Sequence, residues 1–269
     1  MIISAHCLVK NEENFIWYTV MSVIDYVDNI SIWDTGSTDK TVLIIKKIQK
    51  KYPNKILFKQ YSSVSGVDYF QARQKMLEET TADWVLVLDG DEVWWEDSIK
   101  NLVETINKKG KEIETIVVRT VNLVGDIYHY QEASAARYEI AGRKGHINLR
   151  AFSTKIPGLH VGGNYPGEGY FDDKGRPIQN RDPKKNCFLD TSYFHLTHLK
   201  RSDVLDEVIG RKGKFKYEIG ISFPLDFYFP EVFFRSKPSF VPPPWRKLEG
   251  AEYFRAAFET PLKKLKRIL

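Results

Sequence analysis

Four times in its first hundred residues the chain sets a short apolar run against a polar turn or a segment of helical period, and this alternation limits the fold more than any other feature. Ile2 to Val9 stops at Lys10-Asn11-Glu12-Glu13, after which Phe15, Ile16, Val20, Val23 and Ile24 recur at helical spacing. Ile30 to Trp33 stops at Asp34-Thr35-Gly36-Ser37-Thr38-Asp39, and a helix from about Lys40 to Gln49 carries Val42, Ile45 and Ile48 on one side. Ile56 to Tyr61 reads as a third strand, Ser62 to Gly66 as a turn, and Asp68 to Glu79 as a helix. Trp84 to Leu88, bounded by Asp83 and Asp89, is short and apolar enough for a buried strand at the middle of a sheet. Strands alternating with helices imply right-handed parallel crossovers and a doubly wound sheet that binds ligands at the carboxyl ends of its strands. Lys10 to Glu13, Asp34 to Asp39 and Asp89 to Glu92 should therefore converge on one edge.

Beyond about Thr115 the pattern becomes mixed. Ile116 to Val121, His146 to Phe152 and Tyr193 to Leu199 read as strands, and Gly158 to Gly169 is glycine-rich. Ser202 or Asp203 suits a helix cap, with the helix running to about Tyr217. Phe223 to Trp245 holds six prolines among many aromatics, which excludes a long helix and favours an extended, packed arm.

Composition sets limits on function. With 42% hydrophobic and 28% charged residues the chain is an ordinary globular one, and no apolar run approaches the roughly 20 residues of a membrane span. The start at Met1 lacks a basic region, a long apolar stretch and a cleavage site, and Cys7 and Cys187 suggest neither a disulfide framework nor a zinc site. A cytoplasmic protein is expected. A net charge of +5 is too modest to point to a nucleic-acid partner. The charge is uneven, however: from Arg246 to Leu269 there are seven basic residues against three acids. In that stretch Phe254, Phe258, Leu262, Leu265 and Leu269 share one helical stripe, interrupted by Pro261. Such a segment either lies on an anionic membrane surface or packs onto its own domain.

The strongest chemical signal is Asp89-Gly90-Asp91-Glu92. Two carboxylates one residue apart on a strand-ending turn suit a hard divalent cation that leaves positions open for phosphates; the plain alternative is a solvated acidic turn. A strand-end carboxylate at Asp34 suits a base or ribose, and Ser37, Thr38 and Asp39 also suit a helix cap. Trp94 and Trp95 offer either sugar stacking or core packing.

In these motifs, in this order, the chain resembles the inverting family 2 glycosyltransferases of the GT-A fold: Val9 to Glu13, Asp34 to Asp39, Gln71-Ala72-Arg73-Gln74 and Leu88 to Glu92. The resemblance runs to about residue 100, continues weakly to about Leu199, then fades. It implies an α/β, Rossmann-like, mostly parallel sheet flanked by helices, with a mixed acceptor-side half and a C-terminal helical and extended extension. The catalytic domain would span 1–200, as a nucleotide-binding half (1–110) and an acceptor half (111–200), with 201–269 as the extension. Val9, Lys10, Glu12 and Asp34 would bind the nucleotide, with Arg73 alongside, although the family usually has Asn where Gln74 stands. Asp89 would face the ribose or metal, and Asp91 would hold Mn2+ or Mg2+ on the diphosphate.

Relatives place a catalytic Glu in a loop after an Arg-x-Phe strand. Here Arg150-Ala151-Phe152 precedes Glu168, with Asp172 and Asp173 as substitutes, and Gly167 replaces the usual preceding His. Family members also carry a downstream His near the metal. Strand positions three apart face opposite sides, so at most one of His195 and His198 points into the site, and His195 is preferred. The expected activity is transfer from a nucleoside-diphosphate sugar, UDP by family habit, to a glycan, lipid-linked or protein acceptor. A nucleotidyltransferase would want a Gly-rich basic loop after the first strand, which Lys10 to Glu13 is not; a non-catalytic nucleotide- or sugar-binding module would tolerate loss of Asp89 and Asp91.

Overall fold

The computed structural model describes residues 1–61, 67–136, 138–163, 169–204 and 215–268. The apolar runs form β1 (Ile3–Val9), β2 (Asn29–Asp34), β3 (Ile56–Gln60) and β4 (Trp84–Val87), which lie parallel in the order β3-β2-β1-β4. Helices α1 (Ile16–Val23), α2 (Thr41–Lys51) and α3 (Val67–Glu78) make the crossovers between them. β4 gives way at Asp89 to a turn and then to β5 (Glu92–Trp94) and α4 (Glu96–Lys109).

The second half completes the sheet. β6 (Thr115–Val124) leads into β7 (Asp126–Tyr130), and the hairpin of β8 (Tyr138–Ile140) and β9 (Arg143–Gly145) precedes β10 (Ile147–Ser153). A second hairpin, β11 (His160–Gly162) with β12 (Gly169–Phe171), precedes β13 (Asn186–His198) and β14 (Ile221–Ser222). β10 inserts antiparallel between β4 and β6, so β4 is central as expected, and beyond it the sheet is mixed. β13 starts earlier than the apolar run at Tyr193. Its first residues are half-buried and lack a clear pattern, but they pair in parallel with β6 from Thr115 onward.

Alternation along each strand explains the layers. Ile3, Ala5, Cys7 and Val9, with Ile30, Ile32 and Leu86, form one face, covered by Ile44, Ile45 and Ile48 of α2 and Ile99, Leu102 and Ile106 of α4, with the wholly buried α1 between. On the opposite face Leu8 and Trp33 meet Ala72 and Met76 of α3. The result is the helix-flanked α/β sheet that the alternation implied.

His6 lies on β1 at 2% exposure, and its Nε2 has no hydrogen-bond partner among the described residues. Burial first, and the Arg73 guanidinium second, lower its pKa from 6.5 to about 3. A folded pKa below the unfolded one means that the unfolded chain takes up the proton first, so this contribution is complete above about pH 6.5 and is lost as pH falls toward 3. His6→Leu should therefore flatten the loss of stability between about pH 6 and pH 4 by up to roughly 1.4 kcal/mol per pH unit. Urea unfolding at stepped pH measures this, and an unchanged slope would refute the assignment.

Residues 223–245 pack as an extended arm, broken by a single helical turn at Glu231–Phe234. Phe223, Phe227, Phe229 and Phe233 surround Phe194 of β13, and Tyr18 of α1 donates to the Pro242 carbonyl. The helix expected from Ser202 or Asp203 falls mainly on 205–214, outside the described residues; Ser202 itself turns back and donates to Glu13 Oε1. α5 (Gly250–Ile268) runs through Pro261, which therefore does not interrupt it. Among the described residues no helix is long and apolar enough to cross a membrane.

Candidate active site

The carboxyl ends of β1, β2 and β4 bring the three polar clusters together. The first two are stitched into one another. Asn11, at φ 51°, donates its backbone N–H to Ser37 Oγ and accepts from Thr38 N at its side-chain oxygen. Glu12 N donates to Thr41 Oγ1 and Glu13 N to Asp39 Oδ2, while the Val9 carbonyl accepts both the N–H and the hydroxyl of Thr35. Asp34, 1% exposed, accepts from the backbone of Gly36 and Ser37, and Asp39 accepts from Thr41 N at the start of α2. Asp34 and Asp39 thus both fix backbone in this arrangement. Lys10 is half-buried at the head of the first loop.

The acidic turn is clamped from two sides. β5 leaves β4 and pairs antiparallel with β13, setting Glu92 opposite His195 and Trp94 opposite Tyr193. Thr19 of α1 donates to the Gly90 carbonyl, and Leu196 N donates to the Asp91 carbonyl. Gly90 is required by space: a Cβ there would stand 2.8 Å from Glu12 Cγ and 3.0 Å from Val9 Cγ1. Val9 and Glu12 therefore touch this turn as well as the second loop.

Three arginines face four carboxylates. Arg73 of α3 reaches Asp89 at 2.9 Å and also donates to the Tyr69 hydroxyl. Arg150 of β10 reaches Glu92 at 2.5 Å and Asp89 at 3.6 Å, and donates to the Tyr193 hydroxyl. Arg201, just beyond β13, spans Glu12 at 2.8 Å and Asp91 at 2.9 Å. Burial alone would raise the pKa of Asp89, but Arg73 and Arg150 hold it well below the usual carboxylate range. Burial pushes Glu92 up despite Arg150. Asp89 keeps 31% of its side chain exposed against 3% for Asp91 and none for Glu92, so it is the carboxylate of this turn most open to a ligand.

His195 Nε2 lies 3.7 Å from Asp91 Oδ2, and burial lowers its pKa to about 4, leaving a neutral ring at pH 7. His198 instead meets Lys216 Nζ at 3.1 Å. Of the two, His195 is the one beside the acidic turn. Among the described residues no group of three or more His, Cys, Asp or Glu side chains is arranged to hold a metal ion. Asp91 and His195 set an oxygen and a neutral nitrogen donor side by side, but the Arg201 guanidinium already pairs with the same Asp91 oxygen at 2.9 Å, so a divalent ion fits there only if Arg201 is displaced.

Several expected roles fall elsewhere. Trp94 is fully buried and stacks on Tyr193 at 4.8 Å, and Trp95 donates to the Tyr228 carbonyl while packing edge-on against Phe194, so both belong to packing. Glu168 lies outside the described residues. Asp172 is no substitute base. It is buried, accepts from the backbone of Lys174 and Arg176, and is held by the Arg176 and Arg181 guanidiniums, contacts that outweigh burial and keep it ionised. Asp173 is exposed and packs its backbone against Gly158. Arg150, Arg201 and Tyr193 were not foreseen as site residues. Arg150 stands in the recognised Arg-x-Phe strand, whereas nothing in the local pattern marks Arg201.

The family model described as Glycosyl transferase family 2 matches residues 4–163, which span every element just described up to β11. The chain belongs to glycosyl transferase family 2. A TPR repeat-containing protein of Synechococcus elongatus is 32% identical over 90 residues, which make up 34% of this chain and 20% of that protein. The chain thus corresponds to about a fifth of that relative. Among solved structures, S. aureus TarS is 14% identical with a TM-score of 0.47, over 74% of this chain and 37% of TarS. Glucosyl-3-phosphoglycerate synthase from Mycobacterium tuberculosis, in complex with Mn2+ and UDP-glucose, is 15% identical with a TM-score of 0.44, over 72% and 71% of the two chains.

Proposed function

We propose that the chain transfers a sugar, with inversion, from a nucleoside-diphosphate donor of the UDP-sugar kind to the hydroxyl of a glycan, lipid-linked or protein acceptor. The observation that carries this reading is the convergence of Asp89, Asp91 and His195 with the stitched loops of Val9 to Glu13 and Asp34 to Thr41 at one sheet edge. In this reading Lys10, Glu12 and Asp34 contact the nucleoside, and Arg73 and Arg150 keep Asp89 ionised toward it. Asp91 and His195 would hold Mn2+ or Mg2+ once the diphosphate had drawn Arg201 away from Asp91. A bound divalent ion supplies Lewis-acid stabilisation of the leaving diphosphate. Glu168 removes the acceptor proton as its oxygen attacks the anomeric carbon and the bond to the diphosphate breaks.

Two other readings are weaker. A nucleotidyltransferase is disfavoured because the loop after β1 engages its own backbone amides with side chains of the second loop, rather than presenting a Gly-rich phosphate cradle. A non-catalytic module has no need of Asp89 and Asp91 together at the strand end. A reducing, cytoplasmic compartment suits the free thiols of Cys7 and Cys187.

The test is calorimetric titration with UDP, GDP and dTDP, each with and without Mn2+. One nucleotide should bind, and Mn2+ should tighten it by about tenfold or more. Binding of none of the three would sink the reading, and equal binding with and without Mn2+ would remove its metal.

A further inference from the structure

α5 is mounted inside out. Its polar stripe faces the protein: Ala256 and Thr260 are buried, Thr260 Oγ1 accepts from Ile219 N, Lys263 donates to the Tyr217 carbonyl, and the Arg267 fork grips Glu218 at 2.6 and 2.7 Å. Its apolar stripe faces out. Phe254 and Phe258 are 74% and 75% exposed, and Leu262 and Leu265 are 54% and 56% exposed. Four large apolar side chains in a row on solvent mark an interaction surface rather than scatter.

We propose that this face of α5 seats in the headgroup region of an anionic lipid bilayer. The charge around the stripe selects that occupant. On a helical wheel Arg255 and Lys266 lie along one margin of the stripe, while Lys264 lies farther round on the other side, 3.9 Å from Glu132; all three are exposed. The acids of the helix are already engaged, Glu252 by Arg246 and Glu259 by both Arg255 and Lys263, so one carboxylate is shared by two cations and the helix keeps an excess of positive charge. A second copy docked face to face would bring no unengaged acid of α5 to meet Arg255 and Lys266, because such a contact is self-complementary. An anionic surface meets them favourably and takes up the phenylalanines and leucines at the acyl boundary.

The test uses the whole protein, without nucleotide or acceptor, so its outcome is independent of the sugar-transfer reading. Co-sedimentation is measured with vesicles of phosphatidylcholine alone and with about a third phosphatidylglycerol. The protein should pellet with the anionic vesicles and stay largely in the supernatant with the neutral ones, and salt should release it. Lys264→Glu with Lys266→Glu should weaken partitioning by at least about 25-fold, at about fivefold per charge. Phe258→Ser with Leu265→Ser should lower it on the order of 100-fold, while the unchanged melting temperature of these exposed positions shows intact folding. Failure to pellet with anionic vesicles, or pelleting indifferent to Phe258→Ser with Leu265→Ser, overturns the proposal. Self-association on a sizing column that the same double variant abolishes would assign the face to a second copy and overturn it equally.

Discussion

Asp91→Asn should lower release of nucleoside diphosphate from the sugar donor by about 10³-fold, the equivalent of some 4 kcal/mol at the transition state. The carboxylate is 2% exposed, its backbone carbonyl is fixed by Leu196 N, and His195 stands 3.7 Å away, so the amide would keep the shape and remove the charge. In the proposed function that charge holds the divalent ion. Stability should fall far less, because Arg201 retains Glu12 at 2.8 Å and an amide oxygen can still accept from it. The measurement is kcat/KM across a Mn2+ series beside a thermal melt. Activity within a few-fold of the parent at saturating Mn2+ would remove Asp91 from the chemistry.

Arg150→Met should destabilise the fold by about 3–5 kcal/mol, lowering the melting temperature on the order of 10 °C. Glu92 is fully buried, and its 2.5 Å contact with Arg150 is what compensates it. Losing the arginine also strips a donor from the buried Tyr193 hydroxyl, which Asn148 then serves alone at 2.9 Å. Adding Glu92→Gln should recover a substantial part of the loss, because the damage comes from a buried carboxyl forced to take up a proton or stay unpaired rather than from the missing contact. Additive effects in the double variant, read from urea midpoints, would show that Arg150 acts by packing alone.

What the sequence made legible follows from the range of each interaction. Runs such as Trp84 to Leu88 ending in Asp89 to Glu92 are local patterns, and strand topology then carries their ends to one edge, so the clusters after β1, β2 and β4 could be placed beforehand. Strand alternation allowed only one of His195 and His198 to face the site and did not say which. Arg201 was invisible because its partner Glu12 is 189 residues away, and the three residues of β5 are too few to show a period. The aromatic dipeptide Trp94-Trp95 left sugar stacking and core packing both open, because composition reports chemistry and not burial. α5 is the sharpest case: periodicity revealed its apolar stripe, but the direction of that stripe depends on Glu132 and Glu218, which grip Arg267 from distant parts of the chain.

The interleaving of the loops after β1 and β2 has a consequence for redesign. Because Asn11, Glu12 and Glu13 each take their backbone partners from Ser37, Asp39 and Thr41, and Thr38 takes its own from Asn11, neither loop is a separable module. An engineer who swaps one of them would strand the amides of the other, so the two segments are transplantable only as a pair.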